Sequence, residues 1–220
     1  MLRRVVRLLQ VVILLLTAVA GSACSAAGPP APAESDHLSQ GITYLESGRL
    51  DEAIAELEAA AKADPSSVEA HFRLGNAHAQ RGSLEKAAQA FQQVLDLDPD
   101  NADAHSNLGV VYYQQGQLPQ AVDQFEKARD LTPDDAEIRY NLASSYIQSD
   151  RLDEAEVELE KAKALDADLA LLWYGLGTLH MLKKRDAAAI AAFERFLELG
   201  SDDARAISEA EEQLKSLRGE

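Results

Sequence analysis

The strongest constraint on this chain is a period of 34 residues that runs through most of its length without insertion or deletion. Pro65, Pro99 and Pro133 stand one period apart. So do Gly41, Gly75, Gly109, Ala143 and Gly177, and so do Ala53, Ala87, Ala121, Ala155 and Ala189. Leu57, Phe91, Phe125, Leu159 and Phe193 keep the same register. Gly48, Gly82 and Gly116 mark a turn in the first three units, where Asp150 and Lys184 stand later. Each unit reads as a helix, a short turn and a second helix. The small residue at position 8 and the alanine at position 20 let the two helices approach closely. The aromatic or leucine at position 24 fills the gap between them. The proline at position 32 stops the second helix, since a residue before proline disfavours the α conformation. One such hairpin cannot bury its apolar face alone, whereas a stack of them can.

The best unit reads His105-x2-Leu108-Gly109-x2-Tyr112, then Ala121-x3-Phe125, then Pro133. This resembles the W-x2-L-G-x2-Y…A-x3-F…P signature of the tetratricopeptide repeat, and the resemblance covers Glu34 to Asp203. It implies an all-α fold: a right-handed α-solenoid of five helix hairpins (34–67, 68–101, 102–135, 136–169 and 170–203), with at least nine helices between Asp36 and Leu199. Unit five drifts, with Asp186 at position 17 and Ser201 in place of the proline, as terminal repeats do. Residues 204–220 read as a capping helix, with Ile207, Ala210, Leu214 and Leu217 on one face and charges opposite.

Ahead of the repeats, Arg3, Arg4 and Arg7 precede an apolar run from Leu8 to Ala20, followed by Gly21, Ser22 and Ala23. Residues 1–23 have the layout of a secretory signal peptide. The run is shorter than the ~20 apolar residues of a membrane span. Gly21-Ser22-Ala23-Cys24 resembles a bacterial lipobox, although a lipobox usually carries an aliphatic residue where Gly21 stands. The resemblance implies that Cys24 is acylated and becomes the new N-terminus. Ser25 after it points to the outer membrane under the Gram-negative sorting rule. The alternatives are an ordinary signal peptide cut near Ala20 or Ala23, giving a soluble periplasmic or secreted protein, and an uncleaved anchor. Pro29, Pro30 and Pro32 bar a helix, so residues 24–33 form an extended tether. At ~3 Å per residue it holds the body roughly 25–30 Å off a membrane.

Composition limits the chemistry. The net charge is −16, and the three leader arginines are offset by no leader acid, so the body is more acidic still. Such a surface repels phosphate backbones, and no nucleic-acid partner is expected. A single cysteine gives neither a disulfide framework nor a Cys-based zinc site. His37, His71 and His105 occupy position 4, and His78 and His180 position 11, where the family carries packing aromatics. Histidines one repeat apart lie on different helices, too far for a shared metal with ~2 Å bonds. Glycine-rich phosphate loops and a GxSxG motif do not occur. Carboxylate pairs such as Asp51-Glu52 and Glu211-Glu212 fall on expected solvent faces or helix starts, where acids suit the macrodipole. The chain is expected to be non-catalytic, with no cofactor and no metal.

The resemblance also implies where a ligand would lie. In such repeats the first helix of each unit lines a concave groove, with positions 2, 5, 6, 9, 12 and 13 facing it. Gln80, Gln114 and Gln148 form one row there, with Asn76, Asn107 and Asn141 beside it. Amides both donate to and accept from an extended peptide backbone. Phe72, Tyr113, Tyr140 and Tyr174 interleave as rigid anchors. Glu69, Asp103 and Glu137 make one side acidic, favouring a neutral or basic segment. The carboxylate clamp of the chaperone-binding branch is absent: Phe72, Asn76, Asn107, Glu137 and Asn141 supply both asparagines and none of the three cations. Tyr140 and Asn141 are read as surface residues, Leu108, Ala121 and Phe125 as core.

The sequence reading is thus an exported, lipid-anchored scaffold that holds a protein segment in its groove. It looks like the repeat lipoproteins that help assemble envelope machines, including pilotin-like proteins of type IV pili. The competing reading is an accessory or regulatory subunit of a cell-wall enzyme.

Overall fold

The computed structural model describes residues 34–219; the leader, the tether and Cys24 lie outside them. The described residues form helices α1 (Glu34–Glu46), α2 (Leu50–Ala63), α3 (Val68–Gln80), α4 (Leu84–Leu97), α5 (Ala102–Gln114), α6 (Leu118–Leu131), α7 (Ala136–Gln148), α8 (Leu152–Leu165), α9 (Ala170–Leu182), α10 (Asp186–Leu199) and α11 (Ala204–Arg218). No strand occurs among them. Consecutive helices pack as five antiparallel hairpins that stack in order, the α-solenoid the repeat calls for, and α11 closes the last one.

Local chemistry sets the boundaries. Ser67, Asn101 and Asp135 cap α3, α5 and α7 by accepting from Ala70 N, Ala104 N and Ile138 N. Asp203 caps α11 through Arg205 N and Ala206 N. Leu169 holds the same place before α9 and cannot cap it. Each hairpin turn closes with one recurring bond, donated to a carbonyl five residues back: Ser83 N to His78 O at 2.8 Å, Gln117 N to Tyr112 O at 2.8 Å, Arg151 N to Tyr146 O at 2.9 Å. This closure needs a left-handed residue. Gly48, Gly82 and Gly116 supply it freely, whereas Asp150 (φ 58°) and Lys184 (φ 57°) adopt it against the preference of a side chain.

Within a hairpin the packing is tight. A Cβ placed on Gly109 would lie 2.8 Å from the Phe125 ring, and one on Gly75 would lie 2.7 Å from Phe91. Those two phenylalanines, with Phe193, Phe196, Leu57, Leu108, Leu142 and Leu159, are fully buried. At the first hairpin the outward positions hold Asp36, Gln40, Thr43 and Ser47, all exposed, where the second unit has Ala70, Leu74 and Ala77. At the other end Ala206, Ala210 and Leu214 of α11 are buried, with Ile207 and Leu217 partly so.

Two of the three histidines at position 4, His71 and His105, take part in a device the sequence reading did not find, while His37 pairs through Nδ1 with Glu56 at 2.6 Å. His71 Nε2 lies 3.1 Å from Pro65 O, and His105 Nε2 lies 3.0 Å from Pro99 O. In the same register Arg139 Nε donates to Pro133 O at 2.9 Å, and Trp173 Nε1 donates to Ala167 O at 2.7 Å. Three residue types thus place an N–H on the carbonyl of the turn between units and tie the first helix of each unit to that turn. Since that carbonyl can only accept, Nε2 carries the proton in His71 and His105.

Candidate peptide-binding groove

The first helices of the units, α1, α3, α5, α7 and α9, lie side by side. Their facing positions come together as the register requires. Asn107 Nδ2 donates to Asn76 Oδ1 at 3.2 Å, so adjacent helices are joined across the groove floor by an amide pair. Around that pair lies a depression of about 140 Å³ lined by Asn76, Ala79, Gln80, Phe91, Asn107, Val110, Val111 and Gln114. A second depression of about 270 Å³ follows along the same face. Its walls are Val110, Tyr113, Gln114, Phe125, Tyr140, Asn141, Ser144 and Leu171. Gln114 and Val110 belong to both, so the two are contiguous.

Seven of the ten residues expected in the groove therefore line these depressions: Asn76, Gln80, Asn107, Tyr113, Gln114, Tyr140 and Asn141. Gln148 extends the row, donating from Nε2 to the Tyr113 hydroxyl at 2.5 Å. The other two are committed to internal packing. Phe72 sets its ring edge-on to Phe91, with centroids 5.8 Å apart. The Tyr174 hydroxyl donates to Glu209 Oε2 of α11 at 2.6 Å. Burial and that carboxylate push its phenol far up, so Tyr174 acts as a fixed donor holding the cap. Its ring also leans on Phe196, centroids 5.5 Å apart.

Tyr140 departs from its expected surface role. It is only partly exposed and packs on the core of the last three units. Its ring lies against α9, where a Cβ on Gly175 would be 3.1 Å from Tyr140 Cε2. Burial raises its phenol pKa, and burial does the same for Tyr113. Both remain neutral donors across physiological pH. The acidic row is interrupted at one place: Glu69 accepts from Arg73 Nε at 2.6 Å. Asp103 and Glu137 are exposed and take part in none of the ion pairs among the described residues.

The sequence reading also missed part of the floor. Phe91 and Phe125, assigned to the core, also line the depressions even though each is 1% exposed. Repeat arithmetic could have found the cross-helix pairs. Asn76 meets Asn107 31 residues on, while Tyr113 meets Gln148 and Tyr174 meets Glu209 35 residues on. Those offsets are one period, less or plus a few residues.

The family assignment rests on the repeat itself. The tetratricopeptide repeat model matches residues 38–102, 84–136, 106–170 and 140–204, which together span most of the chain. The chain belongs to the tetratricopeptide repeat family. No curated protein sequence matches it. Solved structures share its fold. MamA from Desulfovibrio magneticus RS-1 superposes with a TM-score of 0.72 at 24% identity, covering 78% of this chain and 97% of that one. The pilF protein of Pseudomonas aeruginosa gives 0.69 at 22% identity, covering 84% and 88%. YrrB, described as a TPR protein with an unusual peptide-binding site, gives 0.65 at 20% identity, covering 80% and 91%. At these identities the likeness is one of fold. A stack of such repeats is a protein-interaction scaffold.

Proposed function

We propose that this repeat scaffold binds an extended protein segment along its concave face. The observation that carries the reading is the joined amide row. Asn76 and Asn107 bridge two helices, and Gln80, Gln114 and Asn141 continue along two contiguous depressions. An extended backbone offers alternating donors and acceptors, and amide side chains match either. The exposed acids Asp103 and Glu137 favour a neutral or basic segment. The groove acts passively, by presenting preformed contacts. The test is selection of displayed random peptides on the immobilised full-length protein, with every enriched peptide re-measured on Asn107→Ala and Asn141→Ala. Loss of at least fivefold in affinity is the expected result. Peptides that bind both variants as tightly as the parent would move the site off this face.

We further propose that the scaffold is exported and held in the bacterial envelope by acyl chains on Cys24, serving assembly of an envelope machine. The leader, the small residues before Cys24 and the proline-rich tether support this. Several acyl chains on one residue anchor stably, where one chain binds only marginally. Cell fractionation checks it: Cys24→Ala should shift the protein out of the membrane fraction or stall its processing. A wild-type protein found wholly soluble with an unmodified N-terminus would overturn the anchor.

A further inference from the structure

The larger depression differs in character from the amide row that leads to it. Its polar groups are partly spent. Ser144 Oγ donates to Tyr140 O at 2.9 Å, and the Tyr113 hydroxyl already accepts from Gln148. What remains open is mostly apolar: Val110, the Tyr113 and Tyr140 rings and Leu171, with Asn141 at one side. At about 270 Å³ it is smaller than the ~300–1,000 Å³ typical of small-molecule pockets, and so on the scale of one large side chain.

The pocket exists because unit five breaks the pattern of the groove. Position 6 holds Ser39, Arg73, Asn107 and Asn141 in the first four units and Gly175 in the fifth. Without a side chain there, α9 sits closer to α7, and makes less contact with α8, than its counterparts do in earlier units. The Tyr140 ring fills the space a side chain would take, 3.1 Å from the place of a Cβ, and Leu159 Cδ2 is 3.2 Å away. Position 2 changes too, from Glu69, Asp103 and Glu137 to Leu171. The amide and acid rows therefore stop together, and the groove ends in an apolar socket.

The concave face as a whole is acidic. The groove positions of the five units carry four acids, Glu46, Glu69, Asp103 and Glu137, and one base, Arg73, which Glu69 already engages. Glu137 is exposed and lies three and four residues before Tyr140 and Asn141, hence on the same helix face one turn away.

We propose that this socket anchors one bulky apolar side chain of the bound segment, and that Glu137 at its lip selects a lysine or arginine next to that residue. The proposal rests on the groove reading above and goes further, because it names the side chains the groove selects. Fluorescence anisotropy with the full-length protein tests it. The probes are labelled serine-glycine peptides carrying one lysine beside a variable residue. Phenylalanine or leucine at the variable place should bind at least tenfold tighter than alanine. Exchanging the lysine for glutamate should weaken binding at least fivefold, and Glu137→Gln should erase that difference. Gly175→Asn should remove the preference for phenylalanine over alanine, and Leu171→Ser should reduce it should the first variant fold poorly. Asn107→Ala should weaken all the peptides alike. Equal binding of the alanine and phenylalanine peptides, or a preference for glutamate, overturns the socket while leaving the groove reading intact. Peptides sensitive to Gly175→Asn and indifferent to Asn107→Ala overturn the groove reading and keep the socket. Binding by none of the peptides overturns both.

Discussion

Glu158 is a carboxylate in the wrong place for a solvent-facing helix residue. Its side chain is 6% exposed, and it accepts from Arg139 Nη1 across the hairpin. Lys161 Nζ lies 3.1 Å away and Arg129 Nη1 3.8 Å away. Arg139 also donates from Nε and Nη2 to Pro133 O, tying α7 to the turn before it. Replacing Arg139 by Met keeps the aliphatic stem and removes both functions. Breaking a buried pair costs about 3–5 kcal/mol when the remaining charge is left alone. Here Lys161 and Arg129 still face Glu158, which brings that part to about 2 kcal/mol. The lost bond to Pro133 O adds about 1 kcal/mol. The expected destabilisation of Arg139→Met is therefore about 3 kcal/mol. In Arg139→Met/Glu158→Leu no charge is stranded, so only the turn bond should be missed, about 1 kcal/mol. Arg139→His should recover that bond, since His71 and His105 make it in their own units. The assay is urea unfolding followed by circular dichroism, with all variants fitted to one nearest-neighbour repeat scheme, because stacked repeats need not unfold in two states. If Arg139→Met costs under about 1 kcal/mol, or if the two substitutions simply add, the pair is not what holds this hairpin.

Other outcomes follow from single features. Phe125→Ala should cost about 3–5 kcal/mol as a fully buried ring facing Gly109, read from the midpoint of denaturant unfolding; a cost below about 1 kcal/mol would refute that packing. Lys184→Gly should stabilise by about 0.5–1 kcal/mol, because glycine relieves the left-handed strain at φ 57° but loses more freedom on folding; a lowered melting temperature would contradict it. His78 and His180 have buried Nδ1 atoms with no hydrogen-bond partner, and burial lowers the pKa of each. A histidine with a lowered folded pKa contributes stability above its unfolded value near 6.5, and that stability fades as pH falls through the folded value. The melting temperature should thus drop as pH falls below about 6.5, and should drop less in His78→Leu; a profile that stays flat below that pH until the carboxylates titrate would refute the assignment.

The fold was legible because five units say the same thing. One His-Leu-Gly-Tyr pattern is weak, but Ala53, Ala87, Ala121, Ala155 and Ala189 in one register leave little room for another architecture. The cap was legible from its one apolar face, Ile207, Ala210, Leu214 and Leu217, and the structure adds that Asp203 caps it where Ser67, Asn101 and Asp135 cap earlier helices. The Pro133 carbonyl device was hidden because it is filled by chemically unlike residues. Position 4 reads His71, His105, Arg139 and Trp173, a series with no shared composition and one shared capacity, a ring or guanidinium N–H at the right reach.

Register alone places a residue on the concave face without saying whether it is free there. Phe72 and Tyr174 occupy the same position as Tyr140, yet one packs on Phe91 and another is bound to Glu209 of the cap. What decides is the residue opposite, one period away, and that residue varies from unit to unit. Gly175 shows the consequence most clearly. As a letter in the row of Ser39, Arg73, Asn107 and Asn141 it reads as a gap in a polar ladder. In three dimensions Tyr140 settles on α9 where the side chain is missing, and the ladder ends in an open, mostly apolar depression. Repeat identity builds the groove, and the departures from it decide what the groove can hold.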